Sequence, residues 1–245
     1  MGVPRTFFST LGFLTRLGPS RVMTDQEMGR CMAHLPLVGA VLGAVAVLPF
    51  ALGLLSHSPW IQAWLVVGLS LFLTRGLHFD GLADVCDAVT THADPDRFWT
   101  VIKDSRAGAF GVMGLVMALG GQVILFREMF AAGAFGTAAW AFILGRASAV
   151  CLGGSVRRLT RPGLGKLFID GATPKTALAA TVLTIGAGVF LAGPMVAVGA
   201  ATIAGLTLIP LFKLARHVKG ANGDFLGCAV ILGELSAGLG FALLG

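Results

Sequence analysis

Three aspartates, Asp80, Asp84 and Asp87, follow one another at i, i+4 and i+7. At about 100° per residue these positions fall near 0°, 40° and −20°, so on a helix all three carboxylates share one narrow face. Charges stacked this way repel one another unless a counter-charge sits between them. A hard divalent cation meets that need, and Mg²⁺ commonly bridges a few carboxylates to substrate phosphates. A solvated acidic face is the plainer alternative. The chain has only 12 acidic residues among its 245, however, and three on one face favour metal binding. Gly81, beside the first carboxylate, suits either a substrate approaching the backbone or a close neighbouring helix. His78 lies off the acidic face of a continuous helix. It would meet a phosphate, donate to Asp80 if the helix starts later, or be an interfacial polar residue.

A second group, Lys103-Asp104-Ser105-Arg106, is followed by Gly108 and Phe110-Gly111. Lys103 and Arg106 have the chemistry to hold phosphate oxygens, the arginine in bidentate fashion. Asp104 would be a further metal ligand and Ser105 would cap the next helix. The alternative is a basic anchor at a membrane edge. Asp94-Pro95-Asp96 reads differently, as a helix start. Near the C-terminus, Asn222 and Asp224 open another helical stretch, Asp224 being either an N-cap or part of the site. Glu234 follows ten residues later, about 15 Å deeper along a helix. A carboxylate at that depth in a bilayer costs roughly 3 kcal/mol and is a functional candidate by default. It would otherwise be protonated, or paired with a basic residue such as Arg146. Carboxylates poised for Mg²⁺ beside Lys and Arg suit a diphosphate substrate, whose transferred and leaving phosphates need charge neutralisation. No Ser-His-Asp order, nucleotide P-loop or HExxH is present.

The elements that carry these residues are membrane helices. The chain is 56% hydrophobic and 12% charged, with a mean hydropathy of +0.85; soluble domains are about 25% charged. Its 35 glycines suit membrane helices, whose backbones approach closely at small residues. Seven spans are predicted, at 34–55, 60–77, 107–126, 131–153, 176–192, 195–212 and 225–244. Residues 1–33 read as a cytoplasmic or interfacial segment rather than a cleavable signal. The whole chain, 1–245, is read as one all-α domain. Sixteen of the 18 basic residues fall in alternate loops, leaving Arg127 in an opposite loop and Arg146 inside the fourth span. The positive-inside rule then puts the N-terminus and the segment 75–111 in the cytoplasm. The net charge of +6 is explained by orientation and anionic lipid, so no nucleic-acid partner is expected. Cys31, Cys86, Cys151 and Cys228 form no CxxC pair and read as inert thiols.

LHFDGLADVCDA, IKDSRAGAFGV and GANGDFLGCAVILGEL, with FLTRLG and HLPLVGAVLGAV before them, resemble the cobalamin synthase family of adenosylcobinamide-GDP ribazoletransferases. The likeness runs in order along nearly the whole chain. It implies a multi-pass enzyme of the bacterial inner membrane, with its site facing the cytoplasm. Such an enzyme joins adenosylcobinamide-GDP to α-ribazole or its 5′-phosphate with Mg²⁺ and releases GMP; a homo-oligomer is compatible with it. Carried onto this sequence, the motifs imply metal ligands at Asp80, Asp84, Asp87 and Asp104, with a general base among them. Lys103 joins these as a catalytic residue. His78, Ser105, Arg106, Asn222, Asp224 and Glu234 become substrate-binding candidates. Two positions depart from the family pattern: Ala88 stands where glycine is usual and Asn222 where threonine is frequent. Neither removes a carboxylate; they bear on local backbone geometry and a hydroxyl contact. The rival readings are a CDP-alcohol phosphotransferase, whose DGxxAR pattern is missing, a membrane prenyltransferase, and a transporter.

Overall fold

The computed structural model describes residues 3–19 and 21–245. Among them there is no strand, only an isolated backbone bridge between Thr160 and Ala221. In chain order the helices are α1 (Val3–Leu14), α2 (Asp25–Ala51), α3 (Pro59–Thr74), α4 (Leu77–Ala88), α5 (Pro95–Val101), α6 (Ala109–Ala131), α7 (Phe135–Val156), α8 (Leu164–Gly171), α9 (Pro174–Leu191), α10 (Pro194–His217) and α11 (Gly223–Leu244).

Six of these helices, α2, α6, α7, α9, α10 and α11, are long and apolar enough to cross a membrane. The predicted spans therefore match helices, with shifted ends. The first begins at Asp25 rather than residue 34, because Thr24 and Glu27 form a capping box that starts the helix within the polar stretch. The second is shorter than predicted. α3 has 16 residues, about 24 Å of helix, and counts as a crossing only together with α4, from which it is bent by 91°. Two consecutive left-handed residues, Arg75 (φ 57°) and Gly76 (φ 70°), make that corner. Glycine adopts this conformation freely. The arginine is held in it by its side chain, which donates to the Phe13 carbonyl at 2.6 Å. Arg16 reaches the same corner from α1, donating to the Phe72 carbonyl at 2.8 Å. The bend lays α4 across the end of the bundle, against the first turns of α6 and α11.

α7 and α11 form the centre of the bundle, flanked by α2, α10, α6 and α9. The faces of α9, α10 and α6 that point away from this centre carry exposed Leu183, Phe190, Leu206 and Met117, as lipid contact requires. Arg146 on α7 and Glu234 on α11 pair within the core, their side chains 2% and 1% exposed. Gln122 on α6 completes the group, donating to Glu234 Oε2 at 2.6 Å. The charge predicted to lie deep in the bilayer is thus neutralised by Arg146, the arginine predicted inside the fourth span.

Removing one partner of such a pair leaves an unpaired buried charge, costing about 3–5 kcal/mol. Arg146→Met and Glu234→Leu should each lower the thermal unfolding midpoint of the purified protein in detergent. The double replacement should lower it less than either single one.

Candidate active site

The site is built where α4 meets two helix starts. Gly81 on α4 lies against α11: a Cβ there would sit 2.9 Å from the Asp224 Cα and carbonyl oxygen. Close helix packing is therefore the use of this glycine, and it brings Asp224 beside Asp80 and Asp84. Burial, then the charges of Asp224, Asp80 and Asp87, push the Asp84 carboxyl up to about 7. Asp84 has no hydrogen-bond partner among the described residues, while Asp224 accepts from Asn222 Nδ2 at 2.6 Å. Asp80, Asp84 and Asp224 therefore form a carboxylate cluster that no basic side chain among the described residues pairs with.

Asp87 shares their helix but serves a different purpose. Its Oδ2 accepts from the Gly108 amide and its Oδ1 from the Gly111 amide, both at 2.7 Å. These amides open α6, so Asp87 caps a helix that begins 22 residues beyond it. A Cβ at Gly108 would come within 2.5 Å of the carboxylate, which explains the glycine. Where a metal ligand was expected at Asp87, the structure shows a helix cap, each of its oxygens accepting a backbone amide of the α6 start. Ser105 is not the cap expected of it, because Asp87 has taken that place. Asp104 is likewise engaged, with Arg106, at 3.0 and 2.7 Å. That hydrogen bonding holds its carboxyl down at about 2, so Asp104, expected as a further metal ligand, is paired with Arg106 on the loop before α6. Asp94 caps α5 as predicted, accepting from the Asp96 and Arg97 amides.

Two cavities meet at Asp80. The first, about 400 Å³, lies among α1, α2, α8 and α11 and includes His78, Asn222 and Asp224. The second, about 580 Å³, lies between α4, α6 and the loop before α6, and includes Arg75, Asp84 and Ser105. Asp80 lines both. His78 makes no hydrogen bond to Asp80; burial, then the charge of Arg146, favours its neutral form. Asn222 Oδ1 is buried without a hydrogen-bond partner. Asp224 is inside α11 and Asn222 holds the N-cap position, without a side-chain cap bond. Lys103 and Arg106 are exposed on the neighbouring loop and line neither cavity. Glu234 is a clear miss as a substrate contact, being held by Arg146 and Gln122 in the core. Arg75 and Arg161, which line the cavities, were hidden among basic residues assigned to the membrane edge. A signal for Arg75 was its place directly before the acidic motif.

Among the described residues no three His, Cys, Asp or Glu side chains enclose a metal ion by themselves. The donor set still fits one. Asp80, Asp84 and Asp224 offer oxygen atoms only, and their mutual repulsion is relieved by a hard cation that also takes phosphate oxygens.

Fold and site together define a multi-pass membrane protein with a carboxylate cluster between two cavities at one end of its bundle. The profile described as cobalamin-5-phosphate synthase matches residues 6–242, and the chain belongs to this family. It is 48% identical over 239 residues to an adenosylcobinamide-GDP ribazoletransferase of Nitratidesulfovibrio vulgaris (strain DSM 19637 / Miyazaki F), covering 98% of this chain and 95% of the relative. A protein of the same name from Nitratidesulfovibrio vulgaris (strain DP4) is 43% identical, covering 89% of each chain. Another from Klebsiella pneumoniae (strain 342) is 35% identical, covering 94% of this chain and 96% of the relative. No solved structure matches.

Asp84 keeps its proton up to about pH 7 when folded but only through the ordinary carboxylate range when unfolded. Its contribution to stability is therefore present at low pH and lost as pH rises through about 7. In chelator, the thermal midpoint should fall over that window. Asp84→Asn should flatten the fall, and Mg²⁺ should restore the midpoint of the unsubstituted protein near pH 8.

Proposed function

We propose that this chain joins adenosylcobinamide-GDP to α-ribazole or its 5′-phosphate and releases GMP, at the cytoplasmic face of a bacterial inner membrane. It is a membrane transferase of cobalamin synthesis. The observation that carries the reading of the site is the position of Asp80, on the wall between two cavities and beside Asp84 and Asp224. A reaction between two bound substrates needs one such meeting point. The gathering of sixteen of 18 basic residues in alternate loops supports the cytoplasmic orientation.

In the reaction, a ribose hydroxyl oxygen attacks the phosphorus attached to cobinamide. A phosphorus–oxygen bond forms there, and the bond from that phosphorus to the bridging oxygen breaks. The bridging oxygen leaves with GMP and the bond's electron pair. We assign the hydroxyl proton to Asp80, which borders both substrates' spaces. Asp80 and Asp84, with Asp224 beside them, would hold Mg²⁺, which when bound supplies neutralisation of the diphosphate and of the departing phosphate. Ser105, in the second cavity, offers a hydroxyl to phosphate oxygens. Lys103 and Arg106 on the adjoining loop attract the diphosphate, and Asp104 fixes the direction of the Arg106 side chain. Asp87 serves by holding the start of α6, and with it that loop, in place.

Purified protein with adenosylcobinamide-GDP, an α-ribazole acceptor and Mg²⁺ should release GMP. Asp80→Asn and Asp84→Asn should each lower that rate by about 100-fold or more while the protein still inserts and purifies. The same variants should fail to complement a strain lacking cobalamin synthase. Near-normal rates in both would overturn the site. Release of CMP or pyrophosphate from other donors instead of GMP would overturn the reaction.

A further inference from the structure

The two cavities differ in a way that assigns them to different substrates. The first is enclosed by apolar side chains, among them Phe13, Met32, Leu35 and Val230, and holds about 400 Å³. That is the size and lining of a pocket for one small molecule. A corrinoid nucleotide is far too large for it, whereas a benzimidazole nucleoside presents one flat apolar ring system and one ribose. Two polar groups on its wall lack partners. Asn222 Oδ1 is buried and accepts no hydrogen bond, although the same amide donates from Nδ2 to Asp224. The reverse orientation would set two acceptors against each other, so the unpartnered atom is an acceptor awaiting an O–H donor. Arg161 is the other group. Its ring-side contact is with Trp99, at 4.6 Å from the centroid, and its guanidinium donates no hydrogen bond to any described residue.

The backbone holds Arg161 in this position. Its amide donates to the Ala221 carbonyl at 3.0 Å, and the Ala221 amide donates to the Leu159 carbonyl at 2.7 Å. The loop carrying Arg161 is therefore joined to the loop carrying Asn222. Trp99 is fixed in turn, donating from Nε1 to the Val218 carbonyl at 2.8 Å. A cation with free in-plane donors, stacked on a fixed aromatic face, is arranged for a phosphate.

Resting on the transferase reading above, we infer that the cavity among α1, α2, α8 and α11 is the acceptor site. It takes the aromatic ring of the ribazole among its apolar side chains, a ribose hydroxyl on Asn222 Oδ1 and the 5′-phosphate on Arg161. The acceptor then meets the donor at Asp80, and the corrinoid nucleotide occupies the second cavity and the surface beyond it. Arg161 gives the site its preference for the phosphorylated acceptor.

Two measurements on the full chain in detergent test this. One is binding of α-ribazole and of its 5′-phosphate by equilibrium dialysis without donor; the other is GMP release with each acceptor varied. Arg161→Met should weaken binding and raise KM for the phosphorylated acceptor by about 10-fold to 100-fold, with little change for free ribazole. Asn222→Leu should raise KM for both acceptors by about 10-fold and leave the donor KM nearly unchanged. Leu164→Trp, at an exposed position lining the same cavity, should obstruct both acceptors without disturbing the Asn222–Asp224 contact. Unchanged acceptor binding in all three variants overturns the inference, as does a rise in donor KM alone, which would place the donor's nucleotide here. Phosphorylated and free acceptor responding equally to Arg161→Met would overturn the phosphate contact and leave that cation to a lipid headgroup. Acceptor binding by a wild-type protein that releases no GMP would overturn the reaction while upholding the cavity.

Discussion

The site depends on how α4 is docked across the end of the bundle. A helix turned 91° from the span before it would present three like charges on one face with nothing to hold them in register. Two contacts supply the register. At its middle, Gly81 lets the α4 backbone reach Asp224 on α11. Toward its C-terminal end, Asp87 takes the two amides that open α6. The helix is thereby attached to two spans through their N-termini, where unpaired amides and the positive end of the dipole favour a carboxylate. One aspartate of the motif is used for this attachment, which leaves Asp80 and Asp84 facing open space beside Asp224.

The surrounding bundle obeys a different constraint. Hydrocarbon gives polar groups nothing to bond with, so Arg146, Glu234 and Gln122 satisfy one another in the core. Their position between α6, α7 and α11 joins the central pair of helices to the span that Asp87 caps. The electrostatic core, on α6, α7 and α11, and the carboxylate cluster, on α4 and α11, are thus separate groups, one neutral by pairing and the other without a basic partner. The contrast bears on the proposed function, because carboxylates without a basic partner are the kind of oxygen donors that a hard cation would take.

Much of this was legible in sequence, for reasons that can be traced to particular residues. The apolar runs that became α6, α7, α9, α10 and α11 were legible because hydrocarbon thickness sets a minimum length and forbids most charge. Asp94 was legible as a cap because capping is decided within four residues. The face shared by Asp80, Asp84 and Asp87 was also legible, as helical periodicity alone produces it. Their division of labour was not. Asp87 meets amides of residues 108 and 111, and Asp84 senses Asp224; neither separation has a local signature. The family likeness grouped Glu234 with the substrate residues, although its alternative pairing with Arg146 was visible as two opposite charges inside spans.

Taken alone, the sequence determined that this is a multi-pass helical membrane protein and which short segment concentrates its acids. Both follow from local quantities: the length of apolar runs, the angle between successive residues on a helix, and the distribution of charge among loops. The tertiary structure decided which carboxylates remain free, that Asn222 and Arg161 line one cavity, and that Asp80, with Phe13 and Leu77, borders both it and a second. These depend on where elements far apart in the chain come to rest. That is governed by close contacts such as Gly81 against Asp224, whose energy resides in the packed pair and leaves no trace in either residue's neighbours along the chain.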